Sequence, residues 1–538
     1  MGAARVTFQP GDRSVAADVG STVLDAARAA GVVIDAPCGG IGRCGRCRVR
    51  VSGSVRPPDD DELALLSAAD RRRGVRLACR AVIEGDVTVS IAAERGSLRI
   101  VQSATAPDPA LEAPEARGHV PRWPGEPLIG AAVDVGTTTI AARLYDLRTG
   151  ELLGAASSAN PQASWGADVL SRVSAALAGE ATALQSAVVS AIEELVTGIA
   201  SRVPVAVEAL REIVCVGNTA MTSLLLGADV SPLAAAPYAG ARTGAETVPA
   251  DALGFIAFPL AVLTTLPGVS AFIGSDITAG LLVTHPGQGD APGVFVDLGT
   301  NGEIVLAVGD KRYGASAAAG PALEGAGIEH GMRAETGAIE RAWLEAGDLR
   351  ITTVGEAPPE GICGSGLIDL AEALLDGGAL TPDGLLRTDA APPLGRRVFM
   401  RDDGVRAFAV DIDGDVMLTQ RDIRAFQLAK GAVRTAIDLL LERAGVPAGA
   451  VGSVVVAGGF GLHVRGAALA RTGMVPAEWA DRLAFAGNSA LAGAAAALLA
   501  SASRTEAERI ASAVETVDLA GDPAFQERFI AALGFPET

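Results

Sequence analysis

Four cysteines near the N-terminus constrain this chain more than any other feature. Cys38, Cys44 and Cys47 share one glycine-rich stretch with the spacing C-x5-C-x2-C, and Cys79 follows in Leu-Ala-Cys-Arg. Four thiolates are the ligand set of a [2Fe-2S] cluster. Four glycines within the stretch would let its backbone wrap closely around such a group, because glycine adopts positive φ angles without a steric cost. The pattern therefore predicts a loop that folds around iron.

Two other readings of these cysteines stay open: a four-cysteine zinc site, and four unrelated buried thiols. Zinc sites usually bring together two short C-x2-C pairs, whereas here three cysteines crowd one loop and Cys79 stands alone on a predicted strand. The segment has no histidine, which argues against a Rieske centre. The spacing favours the cluster. Plant-type ferredoxins have four residues in the first gap, and the five found here resemble adrenodoxin-like ferredoxins.

Short periodic runs on both sides of the cysteines predict a small sheet with helices. Residues 6–8 and 15–18 alternate like a hairpin. The sequence further predicts helices at 22–30 and 62–68 and strands at 48–51, 76–79 and 86–91. This order resembles the β-grasp fold of [2Fe-2S] ferredoxins over residues 1–95.

Length and charge set limits on the rest of the chain. Its 538 residues exceed one typical domain, and its net charge of −19 disfavours a nucleic-acid partner. No apolar segment opens the chain, and the apolar run 490–500 is too short to cross a bilayer, so we expect a cytoplasmic protein without a membrane partner. Cys215 and Cys363 are expected to be buried thiols in a reducing compartment.

A proline-rich stretch separates the cysteine-containing region from the larger remainder. Six prolines lie between positions 107 and 127 with little periodicity, a composition typical of an extended, semi-rigid spacer. We therefore expect a linker at 96–128, a first lobe at 129–285 and a second lobe at 286–538.

Two stretches after the linker repeat one pattern, in which an apolar strand enters Asp-x-Gly-Thr and a second strand leaves. Such a turn offers backbone N–H groups and hydroxyls to phosphate, and its aspartate can hold Mg²⁺. One copy is weak, because ordinary hairpins often contain Asp-Gly turns, but two copies in this context indicate two phosphate loops. The candidate residues are Asp134, Gly136, Thr137, Thr138 and Thr139 in the first and Asp297, Gly299, Thr300, Asn301 and Gly302 in the second.

Weaker candidates surround these loops. The apolar strand 454–457 enters a glycine turn, where Gly458, Gly459 and Gly461 could lie against an adenosine. Four polar residues are candidates to orient Mg²⁺ or water, namely Glu324, Asn218, Asp276 and Asp168. Lys430 could reach phosphate, although a lysine on an amphipathic helix is usually solvated. Gly361–Gly366 contains a cysteine without an identifiable base, and we interpret it as a closely packed helix start.

Taken together, the loops and the glycine turn resemble the superfamily of acetate and sugar kinases, heat-shock chaperones and actin, the ASKHA fold. A [2Fe-2S] ferredoxin joined by a linker to this body resembles the reductive activators of corrinoid proteins. The resemblance runs along most of residues 130–500, including 160–162, 216–219, 272–276, 318–325 and 427–430.

The resemblance implies a multidomain α/β and α+β fold: an N-terminal β-grasp ferredoxin domain, a linker and a two-lobed ASKHA ATPase body. It implies that Cys38, Cys44, Cys47 and Cys79 hold the cluster and that the two loops and the glycine turn grip ATP. Asp134 and Asp297 would hold Mg²⁺ and act with Glu324 in catalysis.

The implied activity is ATP-dependent reduction of Co(II) to Co(I) on a corrinoid protein of a methyltransferase or demethylase system. The implied partners also include an upstream electron donor and a second copy of the chain in a homodimer.

Two functions of other classes remain as alternatives: a small-molecule kinase with a ferredoxin redox sensor, and a non-catalytic ATP-gated binding module. Activators of 2-hydroxyacyl-CoA dehydratases share the ATPase fold but lack an N-terminal ferredoxin, so the cysteine loop speaks against them.

Overall fold

The computed structural model describes residues 2–34, 36, 38–66, 68–91, 111–119, 125–238, 242–458 and 464–537. These residues fall into two compact units. The first comprises Met1–Arg95, His119–Arg242 and Glu246–Thr265, and the second comprises Gly96–Gly118, Thr243–Ala245 and Leu266–Thr538.

The N-terminal part of the first unit is a five-stranded sheet in the order β2-β1-β5-β3-β4. β1 and β2 form the predicted antiparallel hairpin, and β5 pairs with β1 in parallel. The elements are β1 (Ala3–Gln9), β2 (Arg13–Asp18), α1 (Val23–Ala29), β3 (Arg48–Val55), α2 (Asp60–Leu65), α3 (Ala68–Arg72), β4 (Val75–Leu77) and β5 (Ile83–Ser90). This part has an apolar core of its own, built from buried residues between Ala4 and Val89.

Two sequence predictions need correction here. The strand expected at 76–79 ends at Leu77, so Cys79 lies in the turn after β4 and not on a strand. The helix expected at 62–68 is two shorter helices, α2 and α3. Asp59 caps α2 by accepting a hydrogen bond from the backbone N–H of Glu62, and such a cap fixes where the helix begins.

The rest of the first unit is built on a six-stranded sheet in the order β10-β11-β9-β6-β7-β8. β6, β7 and β8 run antiparallel in sequence order, whereas β9 joins β6, and β11 joins β9, in parallel. The elements are β6 (Ile129–Val135), β7 (Thr139–Asp146), β8 (Leu152–Ala159), α4 (Val169–Ala175), α5 (Ala181–Ala200), β9 (Leu210–Val216), α6 (Thr219–Leu225), β10 (Glu246–Pro249) and β11 (Val262–Thr265).

The stretch Val169–Ala200 is long and apolar enough, by length and composition alone, to cross a membrane. The backbone departs from helical geometry at Gly179, where φ is +105°, so the stretch is two helices separated by a kink. α5 buries one apolar stripe, which includes Leu184, Val188 and Ile192. We interpret α5 as a helix that covers the sheet, because a single apolar stripe is typical of a helix that packs one face against a domain core.

The second unit contains another six-stranded sheet, in the order β22-β21-β12-β13-β14-β23. Its elements are α7 (Ser275–Thr284), β12 (Gly293–Leu298), β13 (Gly302–Val308), β14 (Lys311–Ala317), α8 (Gly364–Asp376), α9 (Gln420–Ala444), β21 (Ser453–Ala457), α10 (Gly466–Arg471), β22 (Leu483–Gly487), α11 (Ser489–Leu499), α12 (Ser501–Ala513), β23 (Val514–Thr516) and α13 (Phe525–Leu533). Two three-stranded sheets are inserted between β14 and α9. They contain β15 (Ala338–Glu345), β16 (Asp348–Thr353) and β17 (Gly361–Ile362), and then β18 (Val398–Met400), β19 (Arg406–Ala409) and β20 (Met417–Thr419).

The two large sheets repeat one topology. In each, three antiparallel strands in sequence order are followed by a strand that joins the first of them in parallel and by a further parallel neighbour. β6 thus corresponds to β12, and β9 corresponds to β21. The sequence repeat at 134–139 and 297–302 therefore reflects a repeat of the whole sheet.

Part of the predicted linker, 96–128, falls outside the described residues. The described part 111–119 is anchored, not extended: Pro114–Arg117 form a short 3-10 helix, and the Glu112 carboxylate accepts hydrogen bonds from the backbone N–H and hydroxyl of Ser501. His119, for which the sequence suggested no role, is buried and contacts Glu212, Nε2 to Oε2, at 2.9 Å.

Candidate iron-sulfur and nucleotide sites

The cysteine loop after α1 turns four times through left-handed backbone geometry. Gly39, Gly40, Gly42 and Gly45 have φ angles of +66°, +96°, +81° and +65°. A side chain at Gly42 would also collide with Arg80, because a Cβ there would lie 2.5 Å from the Arg80 Nε. The predicted reason for the glycines, positive φ, is therefore confirmed at all four positions.

The four cysteine sulfurs lie in two close pairs. Cys38 Sγ and Cys44 Sγ are 3.4 Å apart, and Cys47 Sγ and Cys79 Sγ are 3.3 Å apart. Two thiolates on one tetrahedral metal with bonds of about 2.3 Å would be separated by roughly 3.8 Å, so each pair needs only a small adjustment to bind one iron.

The pairing of the sulfurs fits the cluster. A structural zinc site needs four ligands around one centre, whereas a [2Fe-2S] cluster takes two thiolates on each of two irons. The cysteines present fit the binuclear group.

The thiols differ in acidity and exposure. Burial opposes ionisation of Cys38, but backbone N–H groups of the loop and the Cys44 thiol outweigh it and lower its pKa to about 6. The contact with Cys79 lowers the pKa of Cys47 to about 7, and the same contact raises the pKa of Cys79. One thiol of that pair is thus ready to bind metal as the thiolate at neutral pH. Cys47 is buried and Cys44 is exposed, so the Cys38–Cys44 side is nearer to solvent.

The first phosphate loop lies between β6 and β7, and its carbonyl oxygens accept hydrogen bonds from residues outside the loop. Asn160 Nδ2 donates to Gly136 O at 2.8 Å, and the Asn160 backbone N–H donates to Thr138 O at 2.9 Å. The fully buried Arg172 donates to Thr137 O, and Asn218 Nδ2 donates to the Thr137 hydroxyl at 3.0 Å. Asp134 is the second-last residue of β6, which ends at Val135, and Thr139 begins β7. The sequence-predicted residues of this loop therefore lie together in one turn.

The second phosphate loop lies between β12 and β13. The Gly299 N–H donates to Asn301 O at 2.9 Å, which closes the turn, and Gly302 begins β13. The Thr300 hydroxyl donates to Glu324 Oε1 at 2.9 Å. Glu324 is 22 or more residues along the chain from the loop, and the structure brings it into contact with the loop. This contact is what a catalytic role for Glu324 requires.

Both loops are supported by an equivalent turn. In each repeat the third antiparallel strand is followed by a 3-10 turn that begins with proline, Pro161–Ser164 after β8 and Pro321–Glu324 after β14. Asn160 holds the first loop, and Glu324 contacts the second. Asn160 and Arg172 were not chosen as site residues from the sequence, and the position of Asn160 in the repeat is the signal that could have identified it.

Only the first residue of the predicted adenosine turn lies within the described residues. Gly458 follows β21, which pairs in parallel with β12. Its φ is +115°, and a Cβ there would lie 2.5 Å from Leu298 O and 3.2 Å from Asp297 Oδ1. Gly458 therefore lies beside the second phosphate loop. Gly459 and Gly461 fall outside the described residues.

Near the second loop, two carboxylates shift the pKa of a third. Burial, together with the charges of Asp276 and Asp297, raises the pKa of Glu303 well above its ordinary value, although the Ser316 hydroxyl donates to Glu303 Oε1 at 3.2 Å. Burial raises the pKa of Asp276 to about 6. Glu303 was missed from the sequence as a site residue, although it directly follows Gly302 on β13. Shifted carboxylates of this kind are frequent at functional sites.

The remaining candidates have structural contacts. Asn218 and Asp168 are the N-caps of α6 and α4. Lys430 is buried, not solvated, and donates to Ala532 O at 2.8 Å and to Gly534 O, so it holds the C-terminal segment and does not reach a phosphate loop. Gly364 starts α8 as predicted, and Cys215 and Cys363 are buried thiols, as predicted.

Three protein-family models match the chain in order. The "2Fe-2S iron-sulfur cluster binding domain" matches residues 6–84, the "RACo middle region" matches 129–286, and the "C-terminal domain of RACo the ASKHA domain" matches 291–538. These domains imply a [2Fe-2S] cluster and ATP as cofactors.

Known proteins resemble the chain over most of its length. The "Corrinoid activation enzyme RamQ" of Eubacterium limosum is 32% identical over 416 residues, which cover 75% of this chain and 70% of the relative. The "[Co(II) methylated amine-specific corrinoid protein] reductase" of Methanosarcina barkeri is 25% identical over 399 residues, covering 68% and 69%.

One solved structure matches nearly end to end. The "Reductive activator for corrinoid,iron-sulfur protein" has a TM-score of 0.71 and 28% identity, and the match covers 99% of this chain and 98% of that one. The multidomain fold expected from the sequence is confirmed by this match and by the family models. Paired thiolates, repeated phosphate loops and these relatives together place the chain in the family of corrinoid activation enzymes, the reductive activators of corrinoid proteins.

Proposed function

We propose that this enzyme uses ATP to pass one electron from a [2Fe-2S] cluster to a corrinoid protein, reducing Co(II) to Co(I) in a methyltransferase or demethylase system. The observation that carries the proposal is the presence of two thiolate pairs and two supported phosphate loops in one chain. Neither an ordinary ferredoxin nor an ordinary kinase needs both. We assign the ferredoxin domain to 1–95, the linker to 96–128 and the two lobes to 129–285 and 286–538.

When bound, the cluster supplies a one-electron reductant at low potential. Cys38 and Cys44 would hold one iron, and Cys47 and Cys79 would hold the other, as the sulfur separations favour. The Cys38–Cys44 side is nearer to solvent and is therefore the side that a partner protein could approach. Cys47 is buried, so water is excluded from its thiol.

For ATP, we assign phosphate contacts to the backbone of Gly136, Thr137, Thr138 and Thr139 and of Gly299, Thr300, Asn301 and Gly302. Asp134 and Asp297 would hold Mg²⁺, and Glu324 would orient the attacking water, with Gly458, Gly459 and Gly461 facing the adenosine. The hydrogen bond from Thr300 to Glu324 supports the role of Glu324 in orienting the attacking water. Asn160 and Arg172 would hold the first loop in place by donating hydrogen bonds to its carbonyl oxygens. The loop then keeps the conformation in which its N–H groups can donate to the nucleotide.

The reason to join these modules is energetic. A coupling of ~1–3 kcal/mol between two sites corresponds to roughly 40–130 mV for one electron, at about 59 mV per tenfold change. ATP binding can therefore favour the electron-accepting state of the corrinoid, and hydrolysis can drive the reaction further. We further propose an upstream electron donor, a cytoplasmic location, a homodimer, and neither nucleic acid nor membrane as a partner.

The test is an anaerobic visible spectrum of a Co(II) corrinoid protein mixed with the reconstituted enzyme, a chemical reductant and ATP. We expect the Co(I) band with ATP and only a small fraction of it without ATP. The Asp134→Asn enzyme is the matched control, since it keeps the cluster cysteines and loses a Mg²⁺ ligand.

Equal Co(I) yields with and without ATP would refute ATP dependence. ATP turnover that requires a sugar or acid acceptor and no corrinoid protein would instead support the kinase alternative. Partner binding without any electron transfer would support the binding module.

A further inference from the structure

Arg28 reaches from the N-terminal sheet domain into the neighbouring region of the same unit. It lies in the last turn of α1, and its Nη2 donates to Gly39 O in the cysteine loop at 3.1 Å. Its Nε donates to Ser164 O at 3.1 Å, and Nη2 donates to the same oxygen. One guanidinium therefore joins the cysteine loop to the 3-10 turn after β8.

Trp165 closes this contact from the other side. The Arg28 guanidinium lies 5.1 Å from the centre of the Trp165 ring, which is 6% exposed. Trp165 O approaches the cysteine loop so closely that a Cβ on Gly39 would lie 2.7 Å from it. A planar guanidinium stacks on an aromatic face and presents its donors in a rigid fork, whereas lysine carries its donors on a single nitrogen.

The same turn is bound to the first phosphate loop. Residues 160–166, which we name the bridging segment, hold Gly136 O and Thr138 O through Asn160. Arg172 donates to Gly166 O at 3.0 Å and also to Thr137 O. The bridging segment therefore contacts phosphate-loop carbonyls at one end and the cysteine loop at the other.

Burial makes this contact demanding. The Arg28 side chain is 19% exposed, and burial lowers the pKa of its guanidinium while the charges of Asp25 and Glu180 oppose the change. Glu180 also accepts a hydrogen bond from Trp165 Nε1 at 3.1 Å. A movement of the bridging segment would leave these buried donors and acceptors unpaired, and unpaired buried groups are costly.

We propose that Arg28 is a positioning residue that couples nucleotide binding at the first phosphate loop to the redox state of the cluster. ATP drawing the loop toward its phosphates shifts Asn160 and Arg172, and the bridging segment transmits the shift to Gly39 through Arg28. The inference rests on the proposed function, since it presumes that the loops bind ATP and that the cysteines hold the cluster.

Coupling between two sites is reciprocal, so it has two independent readouts. With the full chain carrying its cluster and no corrinoid protein, ATP affinity is measured in the oxidised and the reduced state. The midpoint potential of the cluster is measured with and without ATP. We expect the affinity to differ at least about fivefold between redox states, which corresponds to a shift of about 40 mV in the potential.

In the Arg28→Ala enzyme we expect the affinity ratio to fall to about one and the potential shift to vanish. Arg28→Lys keeps the charge but not the fork, and should lose most of the coupling. Arg13→Ala is the matched control, because Arg13 also joins the two regions, through an exposed ion pair with Glu194 at 3.1 Å, but touches neither loop. That variant should keep the ratio. Trp165→Leu alters the contact from the other side and should also bring the affinity ratio to about one. It replaces Arg28→Ala as the test if that variant does not retain its cluster.

The proposal is overturned if the wild-type ratio is one, if Arg28→Ala keeps it, or if Arg13→Ala loses it equally. Those results leave the proposed function untouched when Co(I) still forms with ATP. An intact ratio together with no Co(I) formation would refute the proposed function and leave the coupling standing.

Discussion

Cys47 and Cys79 differ from Cys215 in having another thiol within 3.3 Å. We therefore predict that Cys47→Ser or Cys79→Ser leaves less than half of the wild-type iron after anaerobic reconstitution, since each substitution removes one of two ligands from an iron. Iron content and the visible absorption of the cluster measure the outcome.

Cys215→Ser is the control for this prediction, because Cys215 is fully buried in β9. It should bind the full complement of iron. Normal iron content in Cys47→Ser would show that the four thiols do not form the predicted ligand set.

For single residues, the sequence predicted those features that depend on local backbone conformation. The loop glycines were predictable because positive φ is a property of one residue, and the two phosphate turns because each is contiguous. Asn160, Arg172 and Glu303 were not identified, because their roles depend on contacts between segments that only the folded sheet brings together.

Helix starts illustrate the same distinction for whole elements. α9 begins after Thr419 with a capping box to Asp422 and ends before Gly445, because both ends are encoded within a few residues. The sequence prediction extended β4 to residue 79, whereas the strand ends at Leu77. A buried run alone does not show where pairing with β3 stops.

The start of α8 gives a prediction for an element. A Cβ at Gly364 would lie 1.9 Å from Leu323 O, in the turn that carries Glu324. We predict that Gly364→Ala displaces this turn and lowers ATP turnover at least about tenfold, with a loss of stability of about 1–3 kcal/mol from overpacking. Steady-state ATP hydrolysis and denaturant unfolding are the measurements.

Gly449→Ala provides the comparison, because a Cβ there meets nothing within 4 Å. It should change turnover less than twofold. An active, stable Gly364→Ala enzyme would show that the turn accommodates the methyl group and that Glu324 does not depend on it.

The contact between α9 and the C-terminal segment predicts a pH dependence. Burial lowers the pKa of Lys430 to about 7, whereas an unfolded lysine has a pKa of about 10.4. Between these values the unfolded chain binds a proton that the folded chain does not. The free energy of unfolding should therefore rise with pH across this window, by up to about 1.4 kcal/mol per unit, and be lost as the pH falls toward 7.

Lys430→Met should remove this part of the pH slope in denaturant unfolding measured between pH 7 and pH 10. The exposed Lys311 offers a matched substitution, and Lys311→Met should leave the slope unchanged. The same slope in Lys430→Met and wild type would show that Lys430 is protonated in the folded protein.

Across the whole molecule, separate cores predict separate unfolding. The core of the N-terminal domain consists of residues between 4 and 89, whereas a core of the second unit consists of residues from 294 onward. Because metal binding stabilises only the domain that holds the metal, we predict that Cys47→Ser lowers one calorimetric transition by more than about 5 °C. The transition of the second unit should move by less than about 1 °C.

The wild-type protein with and without its cluster is the corresponding control and should show the same selective change. A single transition that shifts as a whole would contradict independent cores.

The 3-10 turn that follows the third strand in both large sheets has an evolutionary consequence. If the two sheets descend from one duplicated ancestor, this turn is the place where the copies diverged. One copy would then have acquired Trp165 and a contact with the cysteine loop, and the other Glu324 and, beyond it, the inserted sheets β15–β17 and β18–β20. Selection would then have retained the inherited strands while modifying this one connection, so descendants without the N-terminal domain should have lost the tryptophan before they lost the asparagine that precedes it.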